Sequence, residues 1–294
     1  LTILGVPNGW GNIIVWMRNI INGFLTLIIT APYPEWLVVE VGADRPGDIS
    51  RSLNWLVPNI VIATHIPEIP VHVEFYGSPE EVFSEESFPL TQLGAGGIAV
   101  VNADDARLMA VTIPNGARRI TYGFANDADV RATRVRTLTT QRLPSGISFD
   151  ITHQGARVHV SITGALGANH VSALLAGVGG AIAAGASLED SVKNSAAYST
   201  PPGRMRLIAG LKGTALIDDT YNSSPIAVEE ALHALKDAPH TGKTIAILGD
   251  MMELGTYSAD EHEKAGRTAA DCADLVVAVG VRARGISEGA LRAG

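Results

Sequence analysis

The stretch NIVIATHIPEIPVHVEFYGSPEEVF, residues 59–83, contains the two elements that decide the fold. It begins with a continuous apolar run, Asn59 to Thr64, which is typical of a parallel β-strand covered on both faces. It ends in a helix start at Ser78 to Glu81, where serine is the N-cap, proline takes the first helical position and glutamate completes a capping box. A buried strand followed by a helix predicts a βα unit of an α/β protein.

Similar patterns lie on either side of this stretch. Two further continuous apolar runs are WLVVEV (Trp36 to Val41) and GIAVV (Gly97 to Val101). From Ala128 to Ile162 the apolar period changes to two, as expected for antiparallel strands that flank the main sheet. A helix rich in small residues is predicted from His170 to Ala184, with glycines suited to close packing. We therefore predict an α/β fold whose doubly wound sheet is mostly parallel and carries antiparallel strands.

A change of composition divides the chain. YSTPPGRM, Tyr198 to Met205, contains two prolines and a glycine and is the best candidate for a linker. The α/β alternation begins again after it, with strands predicted at Thr214 to Asp218, Thr244 to Leu248 and Leu275 to Gly280. We therefore predict one domain over residues 1–200 and a second α/β domain over residues 201–294.

The composition excludes several classes of protein. The formal net charge is −8, so nonspecific binding of nucleic acid has no electrostatic support, and we expect no nucleic-acid partner. The single cysteine, Cys272, excludes an internal disulfide and suits a reducing compartment, so we expect a cytoplasmic protein. The apolar run Asn12 to Thr30 contains Arg18, Asn19 and Asn22, which would be costly at a bilayer centre. We predict an amphipathic helix there and no stable membrane insertion.

Two residues near predicted strands are candidates for binding a cation. Glu40 lies near the end of WLVVEV, where its carboxylate would point into the crevice at the carboxyl edge of a parallel sheet. Either Mg²⁺ or a partner such as Arg45 would satisfy this charge. His72 lies beyond the next strand, where a lone histidine is more often a hydrogen-bonded loop residue than a ligand.

The segment LIDDTYNSSPIAVEEAL is the most informative one for ligand binding. Asp218 and Asp219 end a strand, Tyr221 and Asn222 occupy the loop, and a capped helix follows. Carboxylates bind ribose hydroxyls and a tyrosine ring packs against a purine, so this loop could hold a nucleotide. A turn with ordinary capping residues would have the same spacing.

The tripeptide Gly-Lys-Thr at residues 242–244 matches only the end of a phosphate-binding P-loop. The full pattern needs a glycine five residues before the Gly-Lys pair, where Asp237 stands, and a helix after it. An apolar strand follows instead, so we predict a turn that leads into a strand.

A series of motifs, in order along the chain, resembles the Mur ligase family. The motifs are WLVVEVGADRPGDI (36–49), THIPEIPVHVEFYGSPEEV (64–82), VNADD (101–105), PGRM (202–205), IDDTYNSSP (217–225) and AILGDMMELG…H (246–262). The second resembles the family segment Thr-Asn-Ile…His-Leu-Glu…Phe-Gly-Ser. The resemblance runs from about residue 36 to the end and is strongest to the members that join D-alanyl-D-alanine to UDP-MurNAc-tripeptide.

The resemblance implies an architecture and a reaction. Family members have an N-terminal UDP-sugar domain, a central ATPase domain that opens with the P-loop, and a C-terminal Rossmann-like domain. Residues 1–200 would be a central domain truncated at its start and 201–294 a C-terminal domain truncated at its end, so we expect the P-loop to precede residue 1. ATP would phosphorylate the tripeptide carboxylate, the amine of D-alanyl-D-alanine would attack the acyl phosphate, and Mg²⁺ would offset the phosphate charge.

The resemblance also implies roles by position. Glu40 and His72 would be Mg²⁺ ligands, and Arg204 would reach the ATP phosphates with its planar set of donors. The residues expected at the nucleotide are Arg204, Asp218, Asp219, Tyr221, Asn222 and His170.

Three departures from the family pattern affect these roles. Glu86 stands where the family commonly has a carbamylated lysine, and we expect its carboxylate to supply similar charge as a third metal ligand and catalytic group. Gly167 to Ala173 replaces His-Asn-x-x-Asn, and YNSSP replaces Tyr-Asn-Ala-Asn-Pro. The departures favour a rival hypothesis, a noncatalytic descendant that binds a nucleotide or a partner. A ligase like the folylpolyglutamate and cyanophycin synthetases is a further alternative.

Overall fold

A computed structural model describes residues 12–28, 35–193, 195 and 198–294. The chain divides into two compact units, residues 1–41 and residues 42–294. The candidate site residues other than Glu40 all lie in the second unit.

The first unit contains one helix, α1 (Ile13–Ile28), among its described residues. The side chain of Asn12 accepts hydrogen bonds from the backbone N–H groups of Ile14 and Val15 and so caps the helix start. The predicted helix is confirmed here, whereas residues 29 and 30 of the apolar run lie outside the described residues. At 1.5 Å per residue, 16 residues extend for about 24 Å, less than the hydrocarbon core of a bilayer. No helix in the described ranges is long and apolar enough to cross a membrane.

The predicted strand WLVVEV is wrong in this structure. Residues 36–41 have no regular secondary structure, and the side chains from Trp36 to Glu40 are exposed, with Val38 at 90%. An apolar run becomes a strand only when a neighbouring strand accepts and donates its backbone hydrogen bonds, and none of the described strands pairs with this segment. Glu40 is therefore an exposed residue of the first unit and not part of a buried strand.

The second unit is built around a six-stranded sheet. Its strands are β1 (Ile60–Ala63), β2 (Ile98–Asn102), β3 (Arg118–Gly123), β4 (Val130–Thr140), β5 (Leu143–His153) and β6 (Ala156–Thr163), in that spatial order. The pairs from β1 to β4 are parallel, and β4, β5 and β6 are antiparallel. The predicted mostly parallel sheet with added antiparallel strands is confirmed.

Helices cover both faces of the parallel part. They are α3 (Pro79–Thr91), α4 (Ala106–Ala110) and α5 (Ala168–Ala183), while α2 (Asp48–Leu53) packs on α3, and α6 (Leu188–Lys193) packs on α5 and β6. Alternate residues of β2 face opposite cores: Val100 packs with residues of α5, and Val101 packs with residues of α3 and α4. Helices on both faces make the sheet doubly wound, as predicted.

Two local predictions about these helices hold. Ser78 caps α3 by accepting from the Glu81 backbone N–H, and the Glu81 carboxylate accepts from the N–H of Gly77. The α5 glycines allow close packing, since a Cβ on Gly179 would lie 2.8 Å from Cγ1 of Val100. The helix backbone therefore lies directly on the sheet.

The last part of the chain carries two small sheets. Strands β7 (Arg206–Ala209) and β8 (Ala215–Asp218) pair antiparallel, and β9 (Ile245–Leu248) pairs parallel with β10 (Leu275–Ala278). The helices are α7 (Pro225–Asp237), α8 (Ser258–Cys272) and α9 (Arg284–Ala293). The predicted return to α/β alternation is confirmed, and β8 pairs with β7 rather than joining β9 and β10.

Candidate functional site

A loop at the end of β8 and the turn before β7 are bound together by two carboxylates. The Oδ2 atom of Asp218 accepts from the backbone N–H of Gly203 at 3.1 Å. The Oδ1 atom of Asp219 accepts from the N–H of Met205 at 3.0 Å. Both aspartates, predicted as ribose contacts, thus hold the turn that carries Arg204.

Gly203 allows this turn to touch the loop. Its φ of +71° is a left-handed conformation that favours glycine, and a Cβ there would lie 2.7 Å from the backbone N of Tyr221. The Tyr221 N–H donates to the Gly203 carbonyl at 3.1 Å. Any other residue at position 203 would push the two segments apart.

Arg204 and Tyr221 form a stacked pair across this contact. The guanidinium carbon of Arg204 lies 4.2 Å from the centroid of the Tyr221 ring, within the range of a cation–π interaction. Tyr221 is 71% exposed, so one face of its ring is open to solvent. The neighbouring Asn222 is exposed, and its side-chain oxygen accepts from the N–H of Ser223.

His170 of α5 lies beneath this turn with one nitrogen unpaired. Its Nδ1 is 2.9 Å from the hydroxyl of Tyr198, while its buried Nε2 has no hydrogen-bond partner. Burial lowers the pKa of His170, opposed by the backbone of Arg204 and Met205 and by the charge of Asp219. The imidazole is therefore neutral near pH 7, with a polar atom left for another group.

Burial has the opposite effect on Asp219. It raises the pKa of this carboxyl, and the Met205 N–H and the Arg204 guanidinium partly offset that rise. A half-buried carboxylate beside an arginine and an unpaired histidine nitrogen is a site with unsatisfied polar capacity. The structure thus brings together five of the predicted nucleotide residues, namely His170, Arg204, Asp218, Asp219 and Tyr221.

His72 and Glu86 lie near each other in a second place. Burial raises the pKa of Glu86, and the nearby imidazole of His72 lowers it. The Nδ1 atom of His72 lies 2.5 Å from Oε2 of Glu253, an ion-pair contact without hydrogen-bond alignment, and its Nε2 lies 3.6 Å from Oδ1 of Asp44. His72 is thus surrounded by carboxylates.

The hydroxyl of Tyr76 is another orphaned polar atom in this neighbourhood. It is buried without a hydrogen-bond partner. Burial, and then the charges of Glu85, Asp48, Glu86 and Asp44, raises the pKa of Tyr76 to about 12. The concentration of negative charge suits a cation, although the residues that the structure describes contain no group of three or more histidines, cysteines and acids that could hold a metal. Metal binding at His72, Glu86 and Glu40 therefore stays a prediction.

The Gly-Lys-Thr tripeptide has the predicted setting of a turn before a strand. The Thr244 backbone N–H and hydroxyl both donate to the Asp274 carboxylate, and β9 begins at Ile245. No helix follows directly, so the geometry of a P-loop is absent at residues 242–244.

Three polar residues near the carboxyl edge of the sheet were not predicted from the sequence. His65 follows β1, and its Nδ1 lies 3.0 Å from Oδ2 of the buried Asp105, which follows β2. Glu230 of α7 has its pKa raised by burial and lowered by a hydrogen bond to Asn169 and by the charge of His65. The available signal was that His65 and Asp105 lie in two of the quoted motifs, residues 64–82 and 101–105, whereas Glu230 lies in an ordinary helical pattern.

A cavity of about 580 Å³ lies elsewhere in the second unit. Its lining includes Arg118 at the start of β3, His153 at the end of β5 and Glu189 in α6. None of the predicted site residues lines it, so the cavity is separate from the candidate site.

Comparison with protein families gives two matches. The family model described as the Mur ligase middle domain matches residues 24–180, and the model described as Mur ligase, glutamate ligase domain, matches residues 203–294. These matches cover the six-stranded sheet and the region with the two small sheets.

Individual relatives point to the same family. The UDP-N-acetylmuramoyl-tripeptide–D-alanyl-D-alanine ligase of Escherichia coli (strain K12) is 26% identical over 272 residues, which cover 92% of this chain and 58% of that protein. The ligase with the same name from Mycobacterium bovis is 30% identical over 253 residues, or 83% of this chain and 48% of that protein. The chain spans about half the length of the curated relatives it matches.

Solved structures extend the comparison to the fold. A crystal structure of MurF from Acinetobacter baumannii matches with a TM-score of 0.75 and 25% identity, over 91% of this chain and 57% of that one. A MurF ligase from Thermotoga maritima in complex with ADP matches with a TM-score of 0.75 and 24% identity, over 89% and 58%.

Proposed function

The chain belongs to the Mur ligase family, and from that premise we propose that the whole protein joins D-alanyl-D-alanine to UDP-MurNAc-tripeptide at the expense of ATP. The relatives named UDP-N-acetylmuramoyl-tripeptide–D-alanyl-D-alanine ligase support the proposal. Residues 1–200 would contribute the central ATP-binding domain and residues 201–294 the C-terminal domain. We expect the reaction in the cytoplasm, where ATP is available and Cys272 stays reduced.

The contact between the turn at Arg204 and the loop at Tyr221 is the observation that carries the proposal. It places a guanidinium, a tyrosine ring, two carboxylates and an unpaired histidine nitrogen in one small region. Arg204 would bind the phosphates, since its fork of donors matches phosphate oxygens. Asp218 and Asp219 would bind the ribose hydroxyls.

The remaining residues of the region would hold the base and position the nucleotide. The open face of Tyr221 would pack against the purine, and Asn222 would line the same loop. The unpaired Nε2 of His170 offers a further polar contact. The ADP bound by the Thermotoga maritima relative supports a nucleotide of this class.

Mg²⁺ is proposed at the acidic region around His72. Proteins bind this ion with one or two carboxylates together with substrate phosphates, so a complete set of protein ligands is not required. Glu86 and His72 are near each other, and the orphaned hydroxyl of Tyr76 fits a region built for a further group. Glu40 stays a predicted ligand on the family resemblance alone. When bound, the ion would offset the charge of the phosphates.

The proposed reaction has two steps. The carboxylate of the tripeptide attacks the γ-phosphorus of ATP, which forms an acyl phosphate and releases ADP. The amine of D-alanyl-D-alanine then attacks the acyl carbon, the C–N bond forms, the C–O bond to phosphate breaks, and inorganic phosphate leaves.

The test is ADP release by the whole protein in the presence of both peptide substrates. The Arg204→Ala change should lower kcat/KM by about 10- to 100-fold, the typical loss of a charged hydrogen bond to phosphate. The matched control is Arg142→Ala in the exposed turn between β4 and β5, which should leave the rate unchanged.

Other outcomes would select the rival functions. Nucleotide binding without substrate-dependent ADP release would identify a noncatalytic binding protein. ADP release that requires a different amino acid and acceptor would identify a ligase of the folylpolyglutamate or cyanophycin synthetase kind.

A further inference from the structure

Positive charge is concentrated on the antiparallel part of the six-stranded sheet. Residues 130–163, which form β4, β5 and β6, contain five arginines and one acid, whereas the whole chain has a formal net charge of −8. A local excess of one sign in a chain of the opposite sign marks a surface suited to a charged partner. The partner of this part of the sheet is therefore expected to be an anion.

The pairing of the three strands brings these charges to one side of the sheet. Residues directly opposite each other in an antiparallel ladder point to the same side. Three neighbouring rows are Arg131–Thr152–Arg157, Thr133–Asp150–His159 and Arg136–Ser148–Ser161. Alternate residues, among them Ile151 and Val160, point to the other side and pack in the core.

The outer side thus carries a group of cationic residues around one acid. We call this group the basic face, and its members are Arg131, Arg134, Arg136, Arg157 and His159. The acid is Asp150, which is buried. The Nη1 atom of Arg134 lies 3.2 Å from its Oδ2, and Nδ1 of His159 lies 2.8 Å from its Oδ1. The side chains of Arg134 and His159 are 58% and 65% exposed, so they cover the acid and still reach solvent.

Other arginines of the basic face carry charge that the protein itself does not balance. Arg136 and Arg157 are exposed, and neither forms an ion pair within the described part of the chain. Exposed arginines elsewhere have acidic partners within 4 Å, as Arg51 and Arg292 do. The unbalanced charge of the basic face remains free to attract an external anion.

We propose that the basic face binds the surface of an anionic phospholipid membrane, without insertion of the chain. Side chains on one side of a sheet lie in one layer, so their charges meet a flat layer of phosphates together. The guanidinium fork matches phosphate oxygens. Val135, in the bulge between Arg134 and Arg136, is also exposed and adds an apolar contact. The Debye length is about 8 Å at physiological salt, so acids on distant parts of the chain are largely screened from this contact.

An acidic peptide fits the basic face less well. Peptides that bind to sheets add to an edge through backbone groups, and others lie in a groove. The basic face instead occupies the outer side of three paired strands. None of its members belongs to the candidate site, so the proposal can fail without affecting the proposed ligase activity, and the reverse also holds.

Cosedimentation of the whole protein with lipid vesicles measures the binding. With equal parts of phosphatidylglycerol and phosphatidylcholine at low salt, we expect half of the protein to bind at about 1–10 mM lipid, the affinity that three or four arginines near an anionic surface provide. Vesicles of phosphatidylcholine alone should bind none, and salt of about 500 mM should release the protein. Binding to both kinds of vesicle alike, or to neither, contradicts the proposal.

Substitutions locate the contact on the protein. Arg136→Ser combined with Arg157→Ser should weaken binding about 25-fold, which corresponds to about fivefold for each arginine near the lipid surface. The control pair, Arg51→Ser with Arg292→Ser, removes the same charge elsewhere and should change the affinity by less than about twofold. Equal weakening in both pairs would mean that only net charge matters, and the basic face would have no special role.

Lysine replacements distinguish a lipid surface from a shaped partner. Lysine keeps the charge and loses the planar fork. Arg136→Lys combined with Arg157→Lys should therefore bind the anionic vesicles within about threefold of wild type. A loss as large as that of the serine pair would overturn the proposal, because a fluid lipid surface does not require the fork. Binding to polyglutamate or to duplex DNA without binding to vesicles would also overturn it, and would identify an acidic peptide or a nucleic acid as the partner.

Discussion

Strands of the six-stranded sheet and of the β9–β10 sheet contain similar apolar runs, but their surroundings differ. Every residue of β2 is buried, because it has a strand on each side and helices on both faces. In β9 and β10 the residues alternate, with Ala246 in the core and Ile245 and Ile247 exposed. Leu275 lies opposite Ile245, so the exposed side chains share one face. An apolar run thus predicts a strand without revealing how many of its faces are covered.

The largest effect is expected where α8 and α9, beside the β9–β10 sheet, touch through glycine. A Cβ on Gly266 of α8 would lie 2.0 Å from the carbonyl oxygen of Ile286 in α9. Gly266→Ala should lower the free energy of unfolding by about 3 kcal/mol, because the two backbones must separate. Urea unfolding measures this loss.

The control for this substitution lies in α5, which packs on the six-stranded sheet. Gly177 of α5 has no atom within 4 Å of a built Cβ, so Gly177→Ala should be neutral or stabilise by up to about 1 kcal/mol. Equal losses in the two variants would show that the contact between α8 and α9 does not decide the effect, and the prediction would be wrong.

The next-largest effect is the difference in stability between substitutions at a buried and at an exposed strand residue. Val100 of β2 is fully buried between Ile62 and Ile120, and Val100→Ala should cost about 2 kcal/mol. Ile247 of β9 is exposed, and Ile247→Thr should change the free energy of unfolding by less than about 0.5 kcal/mol. A loss at position 247 as large as that at 100 would mean that the open face is covered in solution.

A smaller effect is expected from the pH dependence of stability at His170, which lies close to the turn at Arg204. The pKa of His170 is lowered from 6.5 by burial, so the unfolded chain binds this proton more readily than the folded one. Its contribution to stability is therefore present above about pH 6.5 and is lost as the pH falls towards the folded pKa. The His170→Gln variant should lose less stability than wild type between pH 7 and pH 5 in urea titrations. An identical pH dependence would contradict the assignment.

The smallest effect concerns the stacked pair. Tyr221→Leu removes the ring under Arg204 and should cost about 0.5 kcal/mol, the usual value for an exposed cation–π contact. Thermal unfolding of this variant and of the control Tyr257→Leu would show whether the loss is specific to the pair. A loss of several kcal/mol would mean that the turn and the loop depend on this contact for folding.

The sequence predicted the layers of the fold well and its pairings less well. Ser78 and the apolar runs of β1 and β2 were sufficient because caps and continuous burial are local signals. The run at residues 36–41 was misleading, since a strand needs a partner that its own residues do not specify. The antiparallel partner of β8 was missed for the same reason.

For the candidate site, too, local motifs were predicted from the sequence and a tertiary contact was not. The resemblance to Mur ligase motifs located Arg204, Asp219 and Tyr221, and the structure brings them together. The pair of His65 and Asp105 could not be predicted by spacing, because 40 positions separate residues that adjacent strands bring into contact. A tertiary contact of this kind depends on strand order, which is a property of the whole sheet.

The guanidinium on Tyr221 has a consequence for the speed of ligand capture. While Arg204 rests on one face of the ring, a flat heterocycle can stack only on the other face, which is open to solvent. An arriving molecule therefore stacks without displacing the arginine, whose positive charge already lies beside it. We expect rapid-mixing experiments to show an association rate that rises in proportion to ligand concentration and does not level off.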